Sequence, residues 1–206
     1  MSKNLSKKEI QDRICQLIYR AETFLKWSNL LLNVYEKEWD SLQNSVTKQM
    51  KFYNKPIAKC IILHNVLYFQ EAAICLHTLL ESKKQPTEIS FGYYFANAEN
   101  SELKKKINDI RNEYRATRLD KFRNQLIAHK QADSAGDPLT GFLNPVKKEH
   151  VEKACSIVNK LKSLTDINFN CAANNYFEDF YSSGFEVLYK LCESTFKKRR
   201  KTKPSS

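Results

Sequence analysis

The chain is 206 residues long and carries 34 Lys and Arg against 23 Asp and Glu, which gives a formal net charge of +11 at pH 7. This length suits one domain with a substantial core. Four Gly and five Pro are few, which favours long helices and argues against a turn-rich β protein. The charge predicts a polyanion partner such as RNA, DNA or an anionic membrane; the alternative is a Lys-rich solvated surface.

Cysteine usage and the N-terminus indicate the compartment. The six cysteines form no Cys-x-x-Cys pair, and most occupy apolar positions of helical segments, where a free thiol behaves as a small hydrophobic group. The first eight residues precede no apolar core of a signal peptide, and no uncharged run reaches the ~18 residues of a transmembrane helix. We therefore expect a reduced, soluble, cytoplasmic protein without membrane contact.

The first helical segment covers about residues 6–49, where apolar residues recur at intervals of three and four. Ser6 is a candidate N-cap, and Glu9 completes the capping-box pattern. A single helix of this length would span ~60 Å. A break near Ser28 and Asn29 is the equally supported alternative.

A second helix is predicted to begin at Pro56 and to run to about Ser82. It is apolar on most sides, which is typical of a buried central helix. Residues 83–99 form a connection rich in Phe and Tyr. We prefer to interpret it as a flap packed over one end of the bundle, rather than as a platform on which bases stack.

Three further helices are predicted. The third begins at Asn100 or Ser101 and kinks, or gives way to a new helix, around Ala116 and Thr117. The fourth takes Asn144 as its cap and Pro145 as its first residue, and the fifth covers about residues 172–196. The expected fold is an all-α bundle of about five helices, with one domain over residues 1–196 and a basic, disordered tail over residues 197–206.

The stretch Leu119 to Lys130 carries the candidate chemistry. Leu119, Phe122 and Leu126 recur at helical spacing and give one apolar face. Arg123, Asn124 and His129 lie on the flanks of that face, with Arg123 and His129 about 120° apart around a helix. Their side chains can converge on one small site near a helix end.

Arg123-Asn124, four residues and His129 resemble the Arg-x(4–6)-His signature of the HEPN superfamily, in which Asn, Asp or His commonly follows the Arg. The ending Leu-Ile-Ala-His-Lys is similar to that of abortive-infection-type HEPN proteins. The resemblance implies a four-helix up-and-down core with an additional helix. It also implies a homodimer with the site at the seam between the subunits, and metal-independent ribonuclease activity.

The residue types suit cleavage of RNA by its own 2′-hydroxyl. Histidine serves as general base or acid near neutral pH, so His129 is the candidate for proton transfer. Arg123 would stabilise charge on the phosphorane, and Asn124 would position His129 or the phosphate. One His per chain leaves one proton transfer unassigned, and a two-fold dimer would supply the second His. The expected substrate-binding residues form a basic edge: Arg111, Arg115, Arg118 and Lys130.

The other histidines predict no metal or cofactor. Cys60 and His64 face the same way on one helix, but a structural zinc would need two more ligands, and no spacing supplies them. The HEPN resemblance implies the function of a toxin or phage-defence ribonuclease, with RNA as substrate and an antitoxin as a further partner. The alternatives are a non-catalytic HEPN-like module for dimerisation or binding of nucleic acid or protein, and an unrelated helical scaffold.

Overall fold

The computed structural model describes residues 5–42, 45–81, 89–117, 119, 146–169, 185–192 and 194. Regular structure in these residues is entirely helical, which confirms the all-α class. Six helices have defined bounds: α1 (Lys7–Asp40), α2 (Val46–Tyr53), α3 (Pro56–Glu81), α4 (Phe91–Asn97), α5 (Ser101–Ala116) and α6 (Lys148–Phe169). Residues 185–192 are helical as well. The short helices α2 and α4 are additional to the five predicted.

Helix α1 is continuous over 34 residues, which corresponds to about 51 Å. Its N-terminus forms the predicted capping box: the Glu9 N–H donates to Ser6 Oγ over 3.2 Å, and the Ser6 N–H donates to Glu9 Oε2 over 2.8 Å. The break considered near Ser28 does not occur. Ser28 lies fully buried inside the helix.

A buried polar contact explains why Ser28 stands in the middle of α1. Asn65 of α3 donates from Nδ2 to the Ser28 carbonyl over 2.7 Å and to Ser28 Oγ over 3.1 Å. Ser28 Oγ lies 3.5 Å from the Asn65 carbonyl oxygen, to which it donates in return. Because unpaired polar groups are unfavourable in an apolar interior, this contact fixes how α1 and α3 align.

Helix α3 has the start and the length that the sequence predicts. Through a largely apolar surface it contacts each of the other five helices with defined bounds, α1 most extensively. By length and composition alone α3 could cross a membrane, yet half of that window is buried inside the fold. Its burial is that of a core helix, as predicted.

The aromatic connection contains helix α4, which Ser90 caps by accepting from the Tyr93 N–H over 3.0 Å. Phe91, Tyr93 and Tyr94 are buried, and Phe91 and Tyr94 contact the Phe169 ring at the end of α6. These rings pack as a flap over the core, which leaves them no free faces for stacking of bases.

Helix α5 begins after the Asn100 cap, as predicted, and ends at Ala116. Helix α6 begins at Lys148, three residues later than predicted. Val146 and Lys147, which precede it, are not helical. It packs on α1, where Lys162 pairs with Glu22 over 2.7 Å. The helical segment 185–192 also lies on the core, since the Phe185 ring stacks on the Trp27 ring with centroids 5.0 Å apart.

The cysteines require one correction. Among the described cysteines, Cys60, Cys75, Cys155 and Cys192 are free, but Cys15 is disulfide-bonded. The expectation that all six stay reduced is therefore wrong for Cys15. Burial raises the pKa of the Cys75 and Cys192 thiols to about 11, so both are protonated and unreactive at neutral pH.

Candidate functional site

The residues expected to carry catalysis, Arg123, Asn124 and His129, lie outside the described residues, as do Arg118 and Lys130. Leu119, the first residue of the stretch, is described; it is helical and buried at 1% exposure. The structure therefore describes the segment just before this stretch. It consists of the C-terminal half of α5, with the expected substrate-binding residues Arg111 and Arg115.

Arg115 forms a two-point ion pair with the last residue of α3. Its Nε donates to Glu81 Oε1 over 2.8 Å, and its NH2 group donates to Glu81 Oε2 over 2.7 Å. The Glu81 side chain is 16% exposed and the Arg115 side chain 55%. Such parallel donation fixes the guanidinium plane, so Arg115 is held against the end of α3.

Arg111 also binds the end of α3, but through the backbone. Its Nε donates to the Leu80 carbonyl, and its NH1 group donates to Asn108 Oδ1 over 2.7 Å. A cation near the last carbonyls of a helix is favourable because the helix dipole is negative there. Burial lowers the pKa of the Arg111 guanidinium from its usual value, and the nearby Arg115 charge acts in the same direction.

On its other side, α5 is tied to α6. Lys160 donates from Nζ to both carboxylate oxygens of Glu113, at 2.6 and 2.5 Å. Tyr114, between Glu113 and Arg115, is fully buried. The last turn of α5 is thus held by α3 and α6 together, immediately before Leu119. The predicted site therefore comes directly after a segment whose position is fixed by contacts with two other helices.

The described histidines have structural contacts. His150 accepts from the Lys147 N–H at Nδ1 over 3.2 Å and so caps α6. His64 Nδ1 lies 2.9 Å from the Cys60 carbonyl oxygen and 3.5 Å from Cys60 Sγ. A nitrogen this close to a carbonyl oxygen must carry the proton, so Nδ1 is a donor and cannot act as a base for the Cys60 thiol.

Two contacts of this region were not foreseen from the sequence. Glu81 accepts hydrogen bonds from Arg115, which lies 34 residues later in the chain, and the Leu80 carbonyl accepts from Arg111, which lies 31 residues later. No local sequence pattern marks pairs this far apart. For metals, the described residues contain no group of three or more His, Cys, Asp or Glu side chains placed to hold an ion.

Comparison of the chain with protein-family models, with curated proteins and with solved structures found no match. The HEPN resemblance therefore stays a prediction from Arg123, Asn124 and His129.

Replacing each arginine by alanine tests how the α3–α5 junction is held. We expect Arg111→Ala to lower the free energy of unfolding by about 1–3 kcal/mol, because it leaves the buried Leu80 carbonyl without its charged donor. Arg115→Ala should lower it by less than about 1 kcal/mol, because the Arg115 side chain is 55% exposed and water screens its charge. Urea unfolding followed by circular dichroism measures both. Equal losses, or a larger loss for Arg115→Ala, would show that this account of the junction is wrong.

His150 makes stability depend on pH. Burial lowers its pKa in the folded protein below the ordinary 6.5. Protonation therefore favours the unfolded chain, and it also removes the acceptor that caps α6. The stabilisation is complete above about pH 6.5 and is lost as pH falls through the folded-state pKa. His150→Asn keeps an acceptor but does not titrate, so its unfolding free energy should fall less than that of the unmodified protein between about pH 7.5 and 5.5. Parallel pH curves for the two proteins would contradict this role.

Proposed function

We propose that this protein is a metal-independent endoribonuclease of HEPN type that acts as a homodimer. The observation that carries the proposal is the sequence Arg123-Asn124, four residues and His129, which follows α5 in a chain of net charge +11 whose described regular structure is entirely helical. The four-helix up-and-down HEPN core is part of the proposal.

The described junction supports a site at this position. Catalysis needs side chains held in a fixed geometry, and such groups are best held by rigid helices. The C-terminal turn of α5 is bound to α3 through Arg115 and to α6 through Glu113, and Leu119 is buried directly after it. Arg123 follows Leu119 by four residues, which is about one turn if the helix continues.

In the proposed reaction, the RNA provides the nucleophile. His129 of one copy removes the proton of a 2′-hydroxyl, and the resulting oxygen attacks the adjacent phosphorus. Arg123 stabilises the negative charge of the phosphorane, and Asn124 orients His129 or a phosphate oxygen. His129 of the second copy protonates the departing 5′-oxygen. The products are a 2′,3′-cyclic phosphate and a 5′-hydroxyl, with no water, metal or cofactor consumed.

The biological setting follows from analogy with the family alone. We propose a toxin or phage-defence effector that acts on RNA in the cytoplasm and is restrained by an antitoxin protein. Arg118 and Lys130 would contact phosphates beside the site. Arg111 and Arg115 would contribute mainly through their positive field, since their guanidinium groups already bind Leu80 and Glu81.

This last observation favours one second candidate. If all the basic residues near α5 are engaged as Arg111 and Arg115 are, they stabilise helix packing rather than bind substrate. The chain would then be a HEPN-like module without catalysis, serving in dimerisation or in binding of a nucleic acid or protein.

Cleavage in a chelator decides between the two. Purified protein is incubated with total RNA and with tRNA in EDTA, beside Arg123→Ala, His129→Ala and the control Arg13→Ala, which removes an exposed arginine of α1. We expect cleavage by the unmodified protein and by Arg13→Ala, and a loss of about 10²–10⁴-fold in both site variants, because each removes a group that acts on the transition state.

Circular dichroism and light scattering must show that every variant is folded and has the same oligomeric state. An inert unmodified protein, or a His129→Ala variant that cleaves as fast as the control, would rule out the catalytic proposal.

A further inference from the structure

A cavity of about 210 Å³ lies between α1, α3 and the start of α6, away from the α3–α5 junction. Its walls are mainly apolar side chains, and the described lining residues are Leu32, Tyr35, Glu36, Ile61, Ile62, Asn65, Val146, Lys147 and Lys148. An apolar cavity of about 150 Å³ is enough to take up benzene. This cavity therefore has room for a ring system somewhat larger than benzene, such as a fused bicyclic ring.

Asn65 provides a single acceptor in this apolar setting. Its side chain is 4% exposed, and its Nδ2 is committed to the Ser28 carbonyl and hydroxyl of α1. The carbonyl at 2.7 Å fixes the orientation of the amide, because a carbonyl oxygen accepts only from Nδ2. Asn65 Oδ1 has no hydrogen-bond partner among the described residues. Because Asn65 lines the cavity, Oδ1 is the side-chain atom of Asn65 that is available to accept a hydrogen bond from a ligand.

The rim of the cavity carries net positive charge. Lys147 and Lys148 are exposed, and neither side chain forms an ion pair with another described residue. Lys147 immediately precedes the 22-residue helix α6 and Lys148 is its first residue, at the end where backbone N–H groups and the helix dipole also attract an anion. Glu36 is the acidic residue among the described lining residues, and its charge offsets part of this attraction.

We propose that this cavity binds a small aromatic carboxylate whose ring carries one N–H or O–H donor. The ring fills the apolar space beside Tyr35, the donor binds Asn65 Oδ1, and the carboxylate lies at Lys147 and Lys148. A nucleobase fits less well, because apolar walls would leave most of its hydrogen-bonding edge unpaired. A simple fatty acid would leave Asn65 Oδ1 unpaired. The inference does not rest on the proposed ribonuclease activity.

Three probes of similar ring size test the ligand chemistry by titration calorimetry and by saturation-transfer NMR. Indole-3-acetate has the ring, the donor and the carboxylate, 1-naphthaleneacetate lacks the ring donor, and indole lacks the carboxylate. We expect indole-3-acetate to bind with a dissociation constant on the order of 0.1–1 mM, the range for a ligand with about thirteen non-hydrogen atoms. Each of the other two should bind about 5–10-fold more weakly, since each loses one polar interaction.

Variants then locate the binding. Ile62→Trp fills the cavity from a half-buried position and should abolish binding of indole-3-acetate. Lys147→Gln and Lys148→Gln should each weaken it about 3–5-fold, and Glu36→Gln should tighten it about 2-fold. Lys153→Gln is the matched control: it removes an exposed lysine of α6 that does not line the cavity, and binding should stay unchanged.

Two results would overturn the proposal. One is the absence of saturable binding of indole-3-acetate up to about 5 mM, several times the expected dissociation constant. The other is equal binding to Ile62→Trp and to the unmodified protein, which would place the probe elsewhere. Thermal unfolding shows that each variant is folded. Because binding is measured without RNA, failure here leaves the cleavage experiment unaffected, and the reverse also holds.

Discussion

The burial of α3 is the constraint on which the rest of the structure depends. A 26-residue helix that is apolar on nearly every side must be enclosed, and α1, α4, α5 and α6 pack around it. Apolar contacts alone tolerate sliding of one helix along another. The Asn65–Ser28 hydrogen bonds remove that freedom, since any other alignment of α1 and α3 would leave buried polar groups unpaired. The remaining helices are then placed relative to this pair.

The two ends of α3 lie in different chemical surroundings. Its C-terminal end receives Arg111 and Arg115, so positive charge from α5 meets the negative end of the helix dipole and Glu81. This junction fixes the position of the C-terminal end of α5, and therefore of Leu119, just before the predicted site. Nearer the N-terminal end of α3, Asn65 and the start of α6 surround the cavity with its basic rim. The proposed catalytic and ligand-binding sites therefore depend on the same central helix while using separate surfaces.

Features with a local cause were predictable from the sequence. The Ser6–Glu9 capping box, the start of α3 at Pro56 and the Asn100 cap each involve residues within a few positions of one another. Features that join distant residues were not. A break near Ser28 was considered because one helix over residues 6–49 would span ~60 Å, and the sequence did not show that Ser28 pairs with Asn65, 37 residues away. Likewise, the arginines of α5 suggested phosphate contacts because the sequence did not show that Arg115 pairs with Glu81, 34 residues away. The later start of α6 involves His150, whose side chain accepts a hydrogen bond from the N–H of Lys147, just before the helix. Of the candidate site, Arg123, Asn124 and His129 remain predictions of the sequence alone.

The central claim is that RNA is cleaved by its own 2′-hydroxyl without a metal. The most direct test uses two synthetic RNAs that span a mapped cleavage site and differ only at that site, where one carries a single 2′-deoxynucleotide on the 5′ side of the cleaved bond. Both are incubated with the purified protein in EDTA. The account predicts that the unmodified RNA is cut to a 2′,3′-cyclic phosphate and that the deoxy bond stays intact, because the nucleophile is missing. Cleavage of both RNAs at equal rates would contradict it, since an enzyme that activates water does not need the 2′-hydroxyl.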